Sequence, residues 1–313
     1  MQDIRIAVAQ FEHQSGDKKY NLSVIDRLTA EAAKQDARVV CFHELCITGY
    51  TWLHRLSRSE TIKVAEKVPG ESTGALVEIA QKYDVALAAG ILEKADDNLY
   101  NTYVCVTGKG LVAKHRKLHP FISTHLSPGN SFTTFDLFGT TFGILICYDN
   151  NVIENVRATA LLGAEILFAP HVTGCTPSTM PGRGYVDSRL WDNRRKDPEP
   201  LRREFDGRKN REWILRWLPA RAYDNGIYVV YANPIGLDDD QLKGGGSMIL
   251  DPFGDIIAEC RELGDQVVTA DCAAERIHQS GGYRYRRARR PELYGEILAA
   301  PHQSETKPIW LDS

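Results

Sequence analysis

Ile4-Arg5-Ile6-Ala7-Val8-Ala9-Gln10 alternates branched apolar residues with Arg5, Ala7 and Ala9, which predicts a half-buried first strand. Working outward, Asn21 stands where a helix cap is expected, ahead of Leu22, Ile25, Leu28 and Ala32 at helical spacing. Val39-Val40-Cys41-Phe42 then reads as a short buried strand, residues 73–83 as a second helix and 85–89 as a third strand. Strand, helix, strand, helix, strand is the order of an α/β fold.

The same reading continues down the chain. Residues 100–107 and 111–116 are strand-like on either side of Gly108-Lys109-Gly110, a hairpin signal. Phe142-Gly143-Ile144-Leu145-Ile146-Cys147 is an apolar run of the kind found where a strand is covered on both faces. Asn151 and Glu154 form a capping pair for a helix through Leu162, stopped by Gly163, and residues 166–169 make the next strand. Residues 213–225 read as one helix and 228–232 as a strand; 247–250 and 255–259 flank the turn Asp251-Pro252-Phe253-Gly254. Pro, Gly, Arg and Asp dominate residues 175–212 and break the periodicity. Without an internal repeat or a low-complexity linker, the expectation is one domain over 1–313 carrying an insertion at about 175–212.

Composition narrows the functions open to such a chain. The 313 residues are 43% hydrophobic and 25% charged with a formal net charge of −3, which offers nucleic acid no basic surface. No apolar stretch approaches the roughly 20 residues of a membrane helix. Met1-Gln2-Asp3-Ile4-Arg5 lacks the basic-then-apolar order of a secretory signal. Seven cysteines, an odd number without framework spacing, suit reduced thiols and a cytoplasmic location. Cys41, His43, Glu44 and Cys46 are close in sequence, yet zinc sites bring paired ligands from two segments, so no metal is expected. Gly244-Gly245-Gly246 lacks the Lys-Ser/Thr of a phosphate loop and reads as a flexible turn.

Three reactive side chains fall at or near strand ends: Glu44, Lys117 and Cys147. Strand ends are where sites assemble in α/β sheets, because the scaffold holds loop residues rigidly there. A cysteine attacks best as thiolate, and a neighbouring lysine cation lowers its pKa. A carboxylate can take the thiol proton and return it to a departing amine. Lys117 and the backbone N–H of Tyr148 suit a developing oxyanion. Singly, each position reads as ordinary packing, capping or surface.

Together they resemble the nitrilase superfamily of carbon–nitrogen hydrolases, which carries a Glu-Lys-Cys triad in that order. The resemblance rests on Phe42-His43-Glu44-Leu45-Cys46-Ile47-Thr48-Gly49-Tyr50, on His115-Arg116-Lys117-Leu118-His119, and on Gly143-Ile144-Leu145-Ile146-Cys147-Tyr148-Asp149. Further similar segments are 221–230, 246–254 and Arg290-Pro291-Glu292-Leu293-Tyr294. The resemblance implies a four-layer αββα sandwich that forms homodimers or higher homo-oligomers, without a cofactor. It implies hydrolysis of a small amide through a Cys147 thioester, with release of ammonia or amine. N-carbamoyl compounds and nitriles are the alternative substrates, and a non-catalytic interaction protein on the same scaffold is the alternative outside enzymology.

The chain also departs from that pattern. Many members carry a second glutamate six residues ahead of a Pro-Gly pair; here Pro128-Gly129 fits the pair but Ile122 holds the position. Ser123, His119 or His125 are the polar residues nearby. N-carbamoyl hydrolases tend to carry arginine soon after the cysteine, whereas Asp149-Asn150-Asn151-Val152 follows here and Arg157 comes later, which argues modestly against that substrate. Tyr50, His125, His171 and Thr173 are the candidate substrate contacts, and the 175–212 insertion is equally suited to a lid or a subunit contact.

Overall fold

The structure, a computed structural model, describes residues 1–304. The first half of the chain lays down strands β1 (Ile4–Gln10), β2 (Val39–Cys41), β3 (Ala86–Ala95), β4 (Asn98–Thr107) and β5 (Gly110–Arg116). The second half adds β6 (Thr133–Leu137), β7 (Thr140–Ile144), β8 (Ile166–Pro170), β9 (Tyr228–Ala232), β10 (Ile235–Asp238), β11 (Gln241–Gly244), β12 (Met248–Leu250), β13 (Ile256–Glu259) and β14 (Gln266–Cys272). Two six-stranded sheets result, ordered β14-β1-β2-β3-β4-β5 and β13-β12-β9-β8-β7-β6. Each has a parallel centre, β1-β2-β3 in one and β7-β8-β9 in the other, flanked by antiparallel strands.

Period-2 alternation sorts the side chains into layers. Ile4, Ile6 and Val8 of the first sheet meet Phe142, Ile144, Ile166, Phe168 and Val230 of the second, which places a core between the sheets. Ala7, Ala9, Val40, Leu87 and Ala89 point the other way, onto helices Lys18–Ala33 and Glu71–Tyr83 through Ile25, Leu28, Leu76 and Ala80. The outer face of the second sheet carries helices Ile153–Leu161 and Leu218–Tyr223 on Leu167, Val229 and Met248. Helix, sheet, sheet, helix is the four-layer αββα sandwich. β1 is therefore covered on both faces instead of half-buried; its alanines let the helices approach where larger residues would hold them off.

Several boundaries differ from the sequence reading for identifiable reasons. Asp17, not Asn21, caps the first helix by accepting from the Tyr20 N–H; Asn21 is buried and bonds the Gln14 and Ile47 backbones. The helix after the cysteine begins at Ile153 with Val152 at its cap position, so Asn151 is free for another role. Residues 213–225 split into Arg211–Ile214 and Leu218–Tyr223, since Pro219 lacks the N–H a continuing helix needs. Gly244, expected in a flexible turn with Gly245 and Gly246, instead ends β11, which pairs with β10. Residues 175–212 contain two short helices, Ser188–Asn193 and Glu199–Asp206, whose Trp191, Leu201 and Phe205 pack on Ile235 and Leu242. That packing anchors the insertion within this chain.

Candidate active site

Glu44 follows β2 in a loop pressed against β3. A Cβ added at Gly90 would stand 2.0 Å from the Leu45 nitrogen and 2.7 Å from the Glu44 carbonyl carbon, so only glycine permits this approach. The Tyr103 hydroxyl donates to the carbonyls of Phe42 (2.6 Å) and Ala88 (2.9 Å), fixing the loop where it leaves the sheet. Lys117 follows β5; its N–H donates to Asn101 O, and its carbonyl accepts from the Gly129 N–H at 2.7 Å. A Cβ at Gly129 would lie 2.2 Å from Arg116 O, which explains the glycine of the Pro128-Gly129 pair.

Cys147 does not end a strand. β7 stops at Ile144, and Cys147 opens a 3-10 turn, Cys147–Asn150, with φ +51°. That left-handed conformation is strained for a residue with a Cβ, by about 1–3 kcal/mol, and must be held by its surroundings. Asn150 does part of this, donating from Nδ2 to Leu145 O and Cys147 O. Asp149 does the rest. Its fully buried carboxylate accepts from the N–H groups of Leu118 (3.1 Å), His119 (2.8 Å) and Ile146 (3.1 Å) and pairs with His119 Nδ1 (2.9 Å). It thereby staples the lysine loop to the cysteine turn. Burial alone would raise the Asp149 pKa, but His115 3.8 Å away, the bond with His119 and the Lys117 charge hold it well below the usual range.

These elements bring the three expected side chains together. Lys117 Nζ donates to Glu44 Oε1 at 2.6 Å, with both side chains fully buried. Asn101 Nδ2 donates to the same oxygen at 2.6 Å, and the Val172 N–H to Glu44 Oε2 at 3.0 Å. The Cys147 thiol is near enough to Glu44, Lys117 and the Val172 amide for each to shift its ionisation. Of the seven cysteines, Cys147 alone is not buried. Cys41 and Cys46 belong to different cores on opposite faces of the first sheet.

Electrostatics bear on the protonation of the nucleophile. Burial first, then the Glu44 charge, pushes the Cys147 thiol up to about 12, outweighing Lys117 and the Val172 amide. The resting group is a neutral thiol, not a thiolate. Burial also opposes the Lys117 cation, but Cys147, Glu44 and Asp149 more than compensate and leave its pKa raised.

The thiol opens into a cavity of about 400 Å³. Tyr50, Tyr148 and Thr173 stand in its wall, as do Ile122 and Asn151. The Tyr50 ring centroid lies 5.6 Å from Lys117 Nζ. Ile122 is buried with Leu45, Leu99 and Val172, so the position of the family's second glutamate is an apolar wall. His171 is not in the wall. It lies 3.2 Å from Asn150 Nδ2 and between Trp217 and Tyr231, and burial followed by the Lys117 charge lowers it to about 3. His125 also lies outside the wall, because Leu126 anchors its turn on Leu99. Ser123 and His119 stand outside it too, the latter held by Asp149. The insertion enters the cavity through Thr176, Pro177, Ser178, Met180 and Arg183. Sequence reading missed Asn101 and Asp149, which act only by hydrogen bonding, and Arg183 and Lys243, which no motif marks.

Known proteins resemble this chain along most of its length. Residues 5–280 match the family model described as carbon–nitrogen hydrolase. An (R)-stereoselective amidase of Pseudomonas sp. is 31% identical, over 95% of this chain and 96% of that one. Omega-amidase NIT2 of Mus musculus is 32% identical, over 83% and 85%. Among solved structures, an amidase from Nesterenkonia sp. AN1 in complex with acrylamide superposes with a TM-score of 0.70 at 22% identity, over 94% of this chain and 97% of that one.

Proposed function

Because this chain belongs to the carbon–nitrogen hydrolase family, we propose that it hydrolyses a small amide through an acyl-enzyme formed on Cys147. The observation that carries the reading is the buried Glu44–Lys117 pair, 2.6 Å apart, beside a thiol that opens into a cavity.

Since the thiol is neutral at rest, Glu44 takes its proton as Sγ attacks the carbonyl carbon. The negative charge gathering on the carbonyl oxygen meets the Lys117 ammonium and the Tyr148 backbone N–H, donors already oriented at no reorganisation cost. Protonated Glu44 then passes its proton to the amide nitrogen, the C–N bond breaks and ammonia or amine leaves. A thioester remains. Water attacks it with Glu44 again as base, the C–S bond breaks, and the proton returns to sulfur as the acid departs. Asn101 and the Val172 N–H hold the carboxylate in line throughout. Asp149 and Asn150 are positioning residues, acting through the backbone that carries Lys117 and Cys147.

A panel of amides, N-carbamoyl compounds and nitriles, read by ammonia release, tests the reading. Amides are expected to be turned over by the native protein and not by Cys147→Ala. Amide turnover that survives Cys147→Ala, or a panel in which only nitriles react, would overturn it. Carbon dioxide released with the ammonia would mark a carbamoyl substrate instead.

A further inference from the structure

We infer that the substrate of this site carries a carboxylate remote from the scissile bond, received by Arg183 and Lys243. The inference rests on the amidase reading and names the substrate class within it. Arg183 arrives from the insertion and Lys243 from β11, and both line the cavity that holds Cys147. The Arg183 guanidinium stacks 3.6 Å above the Trp213 ring, and Nη2 donates to Thr176 Oγ1 at 3.3 Å. Its Nε and Nη1 are buried without any hydrogen-bond partner. Lys243 is 1% exposed, and its Nζ meets only the uncharged Gln241 Oε1, at 2.8 Å.

A buried cation without a counter-charge is unfavourable unless something supplies one. Among the described residues, no carboxylate lies within 4.0 Å of either group. Asp238 favours the Lys243 cation from a distance, but its oxygens bond His13 and Thr51, and Glu44 is held by Lys117. No Asp or Glu lines the cavity. The third basic residue of the wall, Arg221, donates to the carbonyls of Asn150 and Asn151 and is part of the scaffold. Burial depresses the pKa of both Arg183 and Lys243, outweighing the Asp238 charge in the case of Lys243. A volume of about 400 Å³ leaves room for a short chain between the reacting amide and an anion. A planar guanidinium fixed by stacking suits a planar carboxylate.

The test uses matched pairs with the full-length protein: glutaramate against valeramide for a carboxylate on the acyl side, and N-carbamoyl-β-alanine against butylurea for one on the leaving side. In one pair, kcat/KM is expected to favour the carboxylate by about tenfold or more. That ratio is expected to fall at least about tenfold in Arg183→Gln and in Lys243→Met, each checked by thermal melting. Calorimetric titration with glutarate gives a readout independent of turnover, with binding expected in the native protein and weakened in both variants. Uncharged members turned over as well as charged ones, a ratio that survives both substitutions, or glutarate that does not bind would overturn the inference. Amide turnover without a carboxylate preference removes only this inference, whereas turnover surviving Cys147→Ala removes the reading beneath it.

Discussion

Replacing Glu44 by Gln keeps the size of the side chain and removes its charge, which separates its role as base from its role in packing. In the native site, burial first and Glu44 second hold the Cys147 thiol at about 12. That leaves about one thiolate in 10⁵ at neutral pH, so ionising the thiol without a base costs on the order of 7 kcal/mol. Glu44→Gln takes away the charge that raises the thiol, while Lys117 remains to lower it. The variant should therefore hold a more acidic thiol and yet turn over amide about 10²–10⁴ more slowly. Its stability should fall by about 3–5 kcal/mol, because Lys117 is left buried and unpaired. Alkylation of Cys147 by iodoacetamide, followed across pH beside ammonia release, reads both effects. A midpoint that stays put or moves up, or turnover that is unaffected, would refute the reasoning.

Other expectations follow from the same geometry. His171 is held neutral in the fold at about 3 against 6.5 when exposed, so between those values only the unfolded chain takes up the proton. Stability must then drop as pH falls through that window, by up to about 5 kcal/mol; His171→Gln should flatten the slope in urea unfolding, leaving the part of the same sign due to His43. Gly90→Ala drives a methyl into the Leu45 backbone; it should cost about 1–3 kcal/mol in denaturant unfolding and displace Glu44, with a fall in kcat exceeding the change in KM. Ile122→Glu places a carboxylate among Leu45, Leu99 and Val172; a loss of about 2 kcal/mol or more is expected, with no gain in turnover, and faster turnover would show that the apolar wall is not suited to this substrate.

Much of this was legible before the structure, and the division has a physical logic. β1, β2, β4, β8 and β9 announce themselves because their apolar residues are buried by neighbours, as alternation or as an unbroken run, and β5 because a turn signal precedes it. β6 and β14 do not, since their half-exposed residues at or beside sheet edges carry little contrast. The positions of Glu44, Lys117 and Cys147 were readable because strand ends and motifs mark them. The left-handed turn at Cys147 was not, for it depends on Asn150 and Asp149 closing hydrogen bonds to chain some 30 residues away in Asp149's case. His171, expected as a substrate contact, stands outside the cavity wall between Trp217 and Tyr231. Arg183 and Lys243 escaped notice because a cation in sequence is usually solvated, and only burial reveals one without a partner.

The most direct test is to mix the native protein with a turned-over amide, quench with acid within one turnover and weigh the peptide carrying Cys147. The account predicts that this peptide gains the mass of the acyl group, with one ammonia or amine released for each adduct. Product formed at full rate with Cys147 never heavier, and formed equally well by Cys147→Ala, would contradict it.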